Sequence, residues 1–318
     1  MEPVIGKVDT SLLLSELGKQ DIFIRPTNNV GNEIYIFNGN TSPNLMLELG
    51  RLREETFRAA GGGTGKPTDV DEFDLGPYAY EQLIVWNPED QEIVGGYRFK
   101  RCIEARDPEG VFHLSTREIF DYSGKLCTDY FPYTIELGRS FVQPKYQPSA
   151  ENRKGLFSLD NLWDGLGALV VMYPDMKYFF GKVTMYTDFN IAARDHILAF
   201  MHYYFPDSEH LVLIPNELSI STDCSAMLAE IKDKPYKEGH HILNQLVRKL
   251  GENIPPLFNS YMNLSPSMKT FGTAVNDHFG YVEETGIMVK IEDIYPSKKD
   301  RHISSYLNYL ESRNLNSK

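Results

Sequence analysis

The sequence predicts an α+β fold with one central mixed β-sheet flanked by helices, and three observations carry that prediction. Strand-like and helix-like segments follow the order strand, helix, several strands, then strand-helix-strand-helix-strand, a mixture that one antiparallel-to-parallel sheet accommodates. Residues 80–86 (Tyr-Glu-Gln-Leu-Ile-Val-Trp) and 92–99 are apolar strand runs separated by Asn87-Pro-Glu-Asp-Gln91, the composition of a hairpin turn. Residues 134–142 (Thr-Ile-Glu-Leu-Gly-Arg-Ser-Phe-Val) read as a core strand through their β-branched and aromatic ends, yet contain Glu136 and Arg139.

Taken in order, residues 1–32 are weakly patterned and are expected to form an N-terminal arm, with a single domain over 33–318. Glu33–Phe37 is a short strand. Ser42-Pro43 opens a helix, Ser as N-cap and Pro in the first turn, with Leu45, Leu49, Leu52 and Thr56 on one face; glycines 61–63 end it. A looser segment, 103–130, leads to the 134–142 strand, and a polar loop over 143–155 follows. Ser158 then caps a helix whose Leu159, Leu162, Trp163, Leu166 and Leu169 keep a 3.6-residue period until Pro174. Tyr178–Met185 is a strand, Asn190–Phe205 a helix, and 210–214 a weak strand. The more polar 216–255 stretch, with one amphipathic helix through Leu243, Leu246 and Val247, reads as a helical insertion. Leu257–Leu264 is helical, Gly280–Ile291 a strand, and the tail a helix through Ile303, Tyr306 and Leu310.

Composition narrows the function. With 42% apolar and 24% charged residues, the 318-residue chain is an ordinary globule with ample core. A net charge of −12 argues against nucleic-acid binding, which needs a basic face. Cys102, Cys127 and Cys224 form no Cys-x-x-Cys pair and read as reduced thiols of a cytoplasmic protein. No uninterrupted apolar run is long enough to span a bilayer, so any membrane contact is expected to be peripheral, at the inner face. The histidines show no ligand spacing, and no metal is expected.

Two motifs fail on inspection. Residues 60–67 (Ala-Gly-Gly-Gly-Thr-Gly-Lys-Pro) resemble a phosphate loop, but the first glycine is Ala60, Pro67 replaces the Ser/Thr, and a helix precedes the stretch where a strand is required. The plain reading is a flexible loop beside the site, a candidate lid. His202 to Asp207 has the His-x-x-x-x-Asp spacing of glycerolipid acyltransferases, but 8 histidines and 44 acids in 318 residues produce such a spacing about once by chance.

The remaining unusual residues share a pattern. Arg58 ends an apolar helix, Asp71-Glu-Phe-Asp74 follows the glycine loop, Arg98 closes Gly-Gly-Tyr-Arg, and Glu136 and Arg139 follow. Acids and arginines at the ends of core elements imply one interlocked cluster, since isolated burial is too costly. Strand side chains alternate, so a bulge at Gly138 is expected to bring Glu136 and Arg139 to one side; the bland alternative is a structural ion pair at a sheet edge.

This order of motifs over 45–142 resembles the acyl-homoserine lactone (autoinducer) synthases. Residues 178–183 (Tyr-Phe-Phe-Gly-Lys-Val) and 255–264 (Pro-Pro-Leu-Phe-Asn-Ser-Tyr-Met-Asn-Leu) are similar to the hemolysin-like N-acyltransferases of aminolipid synthesis, and with both parts counted the second family is favoured. The resemblance implies a GNAT-like fold and transfer of a 3-hydroxyacyl group from acyl carrier protein, or from acyl-coenzyme A, to the α-amine of glycine or ornithine. The acyl-phosphopantetheine is then a co-substrate, with no tightly bound cofactor.

On that reading Glu136 takes the amine proton, directly or through a water, and Arg139 orients it. Backbone N–H groups near Ser140 and Phe141 stabilise the oxyanion. Asp71 and Asp74 bind the ammonium, and Arg58 or Arg98 the carboxylate. Phe99, Phe141, Val142 and the helix Leu159 to Val170 are expected to line the acyl slot. Lys145, Arg153 and Lys154 are expected to meet the phosphate or the acidic carrier, although the 145–155 loop lacks the closely spaced glycines of a coenzyme A pyrophosphate loop. The alternatives are a coenzyme A-dependent acetyltransferase, a non-catalytic thioester-binding module, and a membrane-active protein whose sole amphipathic candidate is the short basic tail.

Overall fold

The computed structural model describes residues 1–19, 21–148 and 154–316. Ten strands are β1 (Phe23–Pro26), β2 (Glu33–Asn38), β3 (Glu81–Asn87), β4 (Glu92–Arg101), β5 (Asp121–Tyr122), β6 (Thr134–Val142), β7 (Tyr178–Met185), β8 (Val212–Leu213), β9 (Lys269–Asn276) and β10 (Val282–Lys290). Eight form one sheet in the order β1-β2-β3-β4-β6-β7-β10-β9, while β5 and β8 pair separately. Every neighbouring pair in the large sheet is antiparallel except β6 and β7.

The sheet has two faces because strand side chains alternate. On one face lie α1 (Thr10–Leu17) and α2 (Pro43–Ala59), with Leu45, Leu49, Leu52 and Phe57 packed on Ile84, Ile93 and Phe141. The same face carries the irregular 102–131 segment, whose Phe112, Leu114, Phe120 and Phe131 pack around Phe180 and Met288. The opposite face buries α3 (Ser158–Met172), α4 (Ile191–Tyr204), α5 (Ser225–Ile231), α6 (Tyr236–Lys249) and α7 (Pro256–Met262) against Leu83, Tyr97, Phe99, Phe179 and Val289. The short α8 (Pro296–Lys299) and α9 (Ser305–Asn316) close the chain.

The expected boundaries of β6 and β7 match the structure at both ends. Other expectations need correction. Residues 1–32 include α1 and the edge strand β1, because Phe23 and Arg25 pair with Tyr35 and Ile34. The 216–255 stretch holds two helices, and its Met227, Leu243 and Val247 belong to the main core. Ser42 makes no side-chain cap; the Glu16 carboxylate accepts from the Asn44 and Leu45 N–H groups at 3.2 and 2.9 Å, so the first turn of α2 is satisfied from α1. Ser158 is the first residue of α3, its hydroxyl donating to the Tyr146 carbonyl at 2.8 Å.

Candidate active site

β6 and β7 run as parallel neighbours only from the Thr134/Tyr178 pair to the Leu137/Gly181 pair. Beyond Leu137 they separate, each still held on its outer flank, β6 by β4 and β7 by β10. The gap opens a cavity of ≈ 960 Å³, counting its open mouth, which passes from one face of the sheet to the other. On the α2 face its walls are Arg98, Ser115, Gly138, Arg139, Lys182 and Glu284; on the α3 face they are Leu137, Leu159, Leu162, Trp163, Phe179 and Val289. One side is charged and the other apolar.

A bulge sits at the neck. Gly96 and Arg98 of β4 are two positions apart, while their partners Phe141 and Gly138 are three apart, so β6 carries one extra residue. The expectation placed the irregularity at Gly138; it lies one residue later, at Arg139, whose φ is +51°. A non-glycine residue holds that conformation only when its surroundings over-determine it. Here Arg139 Nε meets Asp69 at 2.8 Å, Nη2 meets Asp71 at 3.5 Å, and the guanidinium lies 4.1 Å from the Phe279 ring centroid.

Asp71 links Arg139 to Arg98, whose Nη1 is 2.6 Å from Asp71 and 3.2 Å from Asp74. Arg98 also lies over the Phe73 and Tyr80 rings at 5.4 and 5.2 Å, and burial of this charge is offset by Asp74 and Asp71, which hold it protonated. Asp74 is wholly buried; against the cost of that burial, Arg53 and Arg98 keep its carboxyl well below the usual carboxylate range. An interlocked cluster is therefore present; it joins the expected Asp71, Asp74, Arg98 and Arg139, leaves out the expected Arg58 and Glu136, and has two members the sequence reasoning missed. Arg53, in the middle of α2 and fully buried, binds Asp74 at 3.0 Å. Its signal was an arginine among Leu49, Leu52 and Phe57 on the apolar helix face. Asp69, two residues before Asp71, was the other.

Arg58 is used elsewhere. Its Nε binds Glu54 at 2.6 Å and its two terminal nitrogens donate to the Glu2 and Lys66 carbonyls. Glu54 also accepts from Thr64 and Gly65 N–H at 3.0 and 2.7 Å, so the glycine-rich loop expected to be a flexible lid is pinned to α2.

Glu136 does not pair with Arg139. Its Oε1 accepts from Ser115 Oγ at 2.8 Å and Thr116 N–H at 3.1 Å, while Oε2 has no hydrogen-bond partner among the described residues. Burial pushes its carboxyl above the usual range; the Ser115 and Tyr80 hydroxyls, the Lys182 charge and the Thr116 amide pull the other way without cancelling it. Glu136 lies behind the cavity wall, and Ser115, which lines the cavity, stands between. Ser115 is itself fixed, its N–H donating to the Tyr80 hydroxyl at 2.9 Å. It lies in the irregular 102–131 segment, where no periodicity marks a position as inward.

Ser140, expected beside the oxyanion, lines the cavity, and of the expected slot residues so do Leu159, Leu162, Trp163 and Leu166 of α3. Phe99 and Phe141 are core residues on opposite faces, and Val142 packs beside Phe99's cluster; none of the three lines the cavity. Lys145 forms an ion pair with Glu92 at 2.8 Å on the surface of β4. Arg153 and the Lys154 side chain lie outside the described residues. No group of acids, histidines and cysteines suited to a metal occurs among the described residues, and no described helix is long and apolar enough to cross a membrane.

Residues 52–153, which include Arg53, the aspartates, Arg98, Ser115, Glu136 and Arg139, match the acetyltransferase (GNAT) domain. The glycine N(alpha)-acyltransferase of Phocaeicola vulgatus is 49% identical over 308 residues, 96% of this chain and 94% of that protein. That of Bacteroides thetaiotaomicron is likewise 49% identical over 308 residues, 96% of this chain and 91% of that protein. No solved structure matches the chain. With a charged half-site and an apolar half-site meeting where two parallel strands part, and with this level of identity along nearly its whole length, the chain belongs to the glycine N(alpha)-acyltransferase family and is an N-acyltransferase of the GNAT fold.

Proposed function

We propose that the protein transfers a fatty acyl group, 3-hydroxylated in its natural donor, from the phosphopantetheine thioester of acyl carrier protein to the α-amine of glycine, giving an N-acylglycine, a single-chain aminolipid. The observation that carries this reading is the through-sheet cavity, charged on the α2 face and apolar on the α3 face. A thioester seated in the gap places its carbonyl at the bulge and its chain among Leu159, Leu162, Leu166 and Val289, while the amine arrives from the side of Arg98 and Arg139. The names of the two relatives support glycine as acceptor.

In this mechanism Arg98 binds the glycine carboxylate: its Nε has no hydrogen-bond partner among the described residues and its side chain lines the cavity. Asp71, the cluster's partly exposed acid, faces the ammonium; Asp74, fully buried between Arg53 and Arg98, sets the arginines in place. The ammonium first releases one proton to solvent; as the resulting neutral amine attacks the thioester carbon, a second N–H proton passes to Ser115 Oγ and the Ser115 proton to Glu136 Oε1, so Glu136 is the base and Ser115 its carrier. Beyond Leu137, the β7-facing edge of β6 has no strand partner, and its N–H groups near Ser140 stabilise the oxyanion. The C–S bond then breaks and the sulfur leaves as a thiolate, with little acid assistance because the parent thiol has a pKa of about 8.5; the thiolate then takes up a proton as Glu136 gives up the one it holds.

The test supplies purified protein with glycine and either acyl carrier protein or coenzyme A thioesters of the same chain, and follows N-acylglycine by mass spectrometry. The expected result is N-acylglycine formed faster from the carrier. No N-acylglycine from either donor overturns the reading; equal or faster turnover of the coenzyme A thioester replaces the carrier as donor.

A further inference from the structure

Behind the apolar half of the cavity lies a second, smaller pocket of ≈ 300 Å³, counting its open side, and the two share Trp163, Leu166 and Phe179 as a common wall. Its far side is formed by Val170, Leu264, Ile294 and Ile303, with Lys298 and His302 of the C-terminal segment at the rim. Gly167 makes this arrangement close: a Cβ there would lie 2.3 Å from the His302 carbonyl oxygen, so the C-terminal segment rests on α3 and forms one side of the pocket.

The three residues of the wall are not equivalent. Leu166 and Phe179 are buried core residues on α3 and β7, bound into the packing of the sheet. Trp163 is only partly buried, it lines both cavities, and its indole stands edge-on against Tyr261 of α7 at 5.6 Å. Of the three it is the wall residue whose loss takes least from the buried core.

We propose that Trp163 is the chain-length ruler of the enzyme: the acyl terminus stops against its indole, and the compartment behind it is a dormant extension of the slot. This rests on the apolar lobe being the acyl slot. Each further methylene that becomes buried favours a substrate by about fourfold in kcat/KM, the equivalent of about 0.8 kcal/mol per methylene.

The test compares wild type, Trp163→Ala and Trp163→Leu over a series of straight-chain acyl thioesters that differ by two carbons. Both variants are expected to move the preferred chain several methylenes longer, with kcat/KM for the longest donors rising at least tenfold relative to the wild-type optimum. Filling the compartment in the double variant Trp163→Ala/Val170→Phe is expected to return the preference to that of wild type. An unchanged ranking of chain lengths in a folded Trp163 variant, or a shift that the Val170→Phe filling leaves intact, overturns the ruler while acyl transfer itself stands. Absence of N-acyl product from wild type with every donor instead overturns the functional reading, and the ruler with it.

Discussion

Replacing Glu136 by Gln separates a catalytic carboxylate from a structural one. The carboxamide keeps an oxygen where Oε1 accepts from Ser115 and Thr116, and puts its NH₂ where Oε2 has no partner among the described residues. A buried unsatisfied donor costs about 1–3 kcal/mol, while removing a desolvated carboxylate returns a comparable amount, so stability at pH 7 should change by less than about 2 kcal/mol. A buried ion pair broken on one side would cost about 3–5 kcal/mol. Loss of a general base lowers kcat by about 10²–10⁴-fold. The sign with pH follows from burial. The folded pKa of Glu136 lies above its unfolded value of about 4.3, so wild type loses stability as pH rises from there through the folded pKa, and Gln escapes that loss. Activity moves oppositely, falling as pH drops through the folded pKa, and the Gln variant should lack that limb. Urea unfolding at pH 4 and pH 7, together with N-acylglycine formation across the same range, measures both. Near-wild-type turnover, or a destabilisation above about 3 kcal/mol at pH 7, would refute the assignment.

Ser115→Ala cuts the connection between cavity and base, and kcat should fall about ten- to a hundredfold with KM for the thioester little changed; stability should drop by only about 1 kcal/mol, as for one hydrogen bond. Asp74→Asn leaves Arg53 without its buried counter-charge and should destabilise by about 3–5 kcal/mol in urea unfolding. Because the folded pKa of Asp74 is depressed, its stabilisation is present above about pH 4 and lost as pH falls further, so the variant's unfolding should be flatter with pH in that acid range. Glu54→Ala releases Thr64, Gly65 and Arg58 together; limited proteolysis should then cut within 61–66, where wild type resists.

The frame was legible where apolar patterning and side-chain alternation agree. Charges inside the apolar β6 run marked the site, since Glu136 and Arg139 needed a reason to be there. The β9 strand was not legible: Lys-Thr-Phe-Gly-Thr-Ala-Val-Asn is short of large apolar residues, and its pairing comes from β10. Arg53 was overlooked in favour of Arg58 because an arginine at a helix end looks available, whereas one in mid-helix looks like surface; only the tertiary fold shows Arg53 facing Asp74 and Gln82. The partners of Glu136 come from the 115–116 turn, set by long-range packing on Tyr80 that no local period encodes.

The misassigned partner of Arg139 explains the chemistry better than the expected pairing would have. Three arginines, Arg53, Arg98 and Arg139, face three aspartates, Asp69, Asp71 and Asp74, so this cluster neutralises itself. Had the extra residue of β6 fallen at Gly138 and turned Arg139 onto Glu136, a guanidinium beside the carboxylate would have held it ionised and made it a weak proton acceptor. The bulge instead delivers Arg139 to Asp69 and Asp71. Glu136 keeps neutral donors from Ser115 and Thr116, while the neighbouring Lys182 is drawn away by Glu284 at 2.8 Å. A buried carboxylate with no direct cationic partner has high proton affinity, and one hydroxyl joins it to the cavity. In the proposed mechanism, the placement of a single inserted residue thus decides whether the same two side chains make a salt bridge or a base.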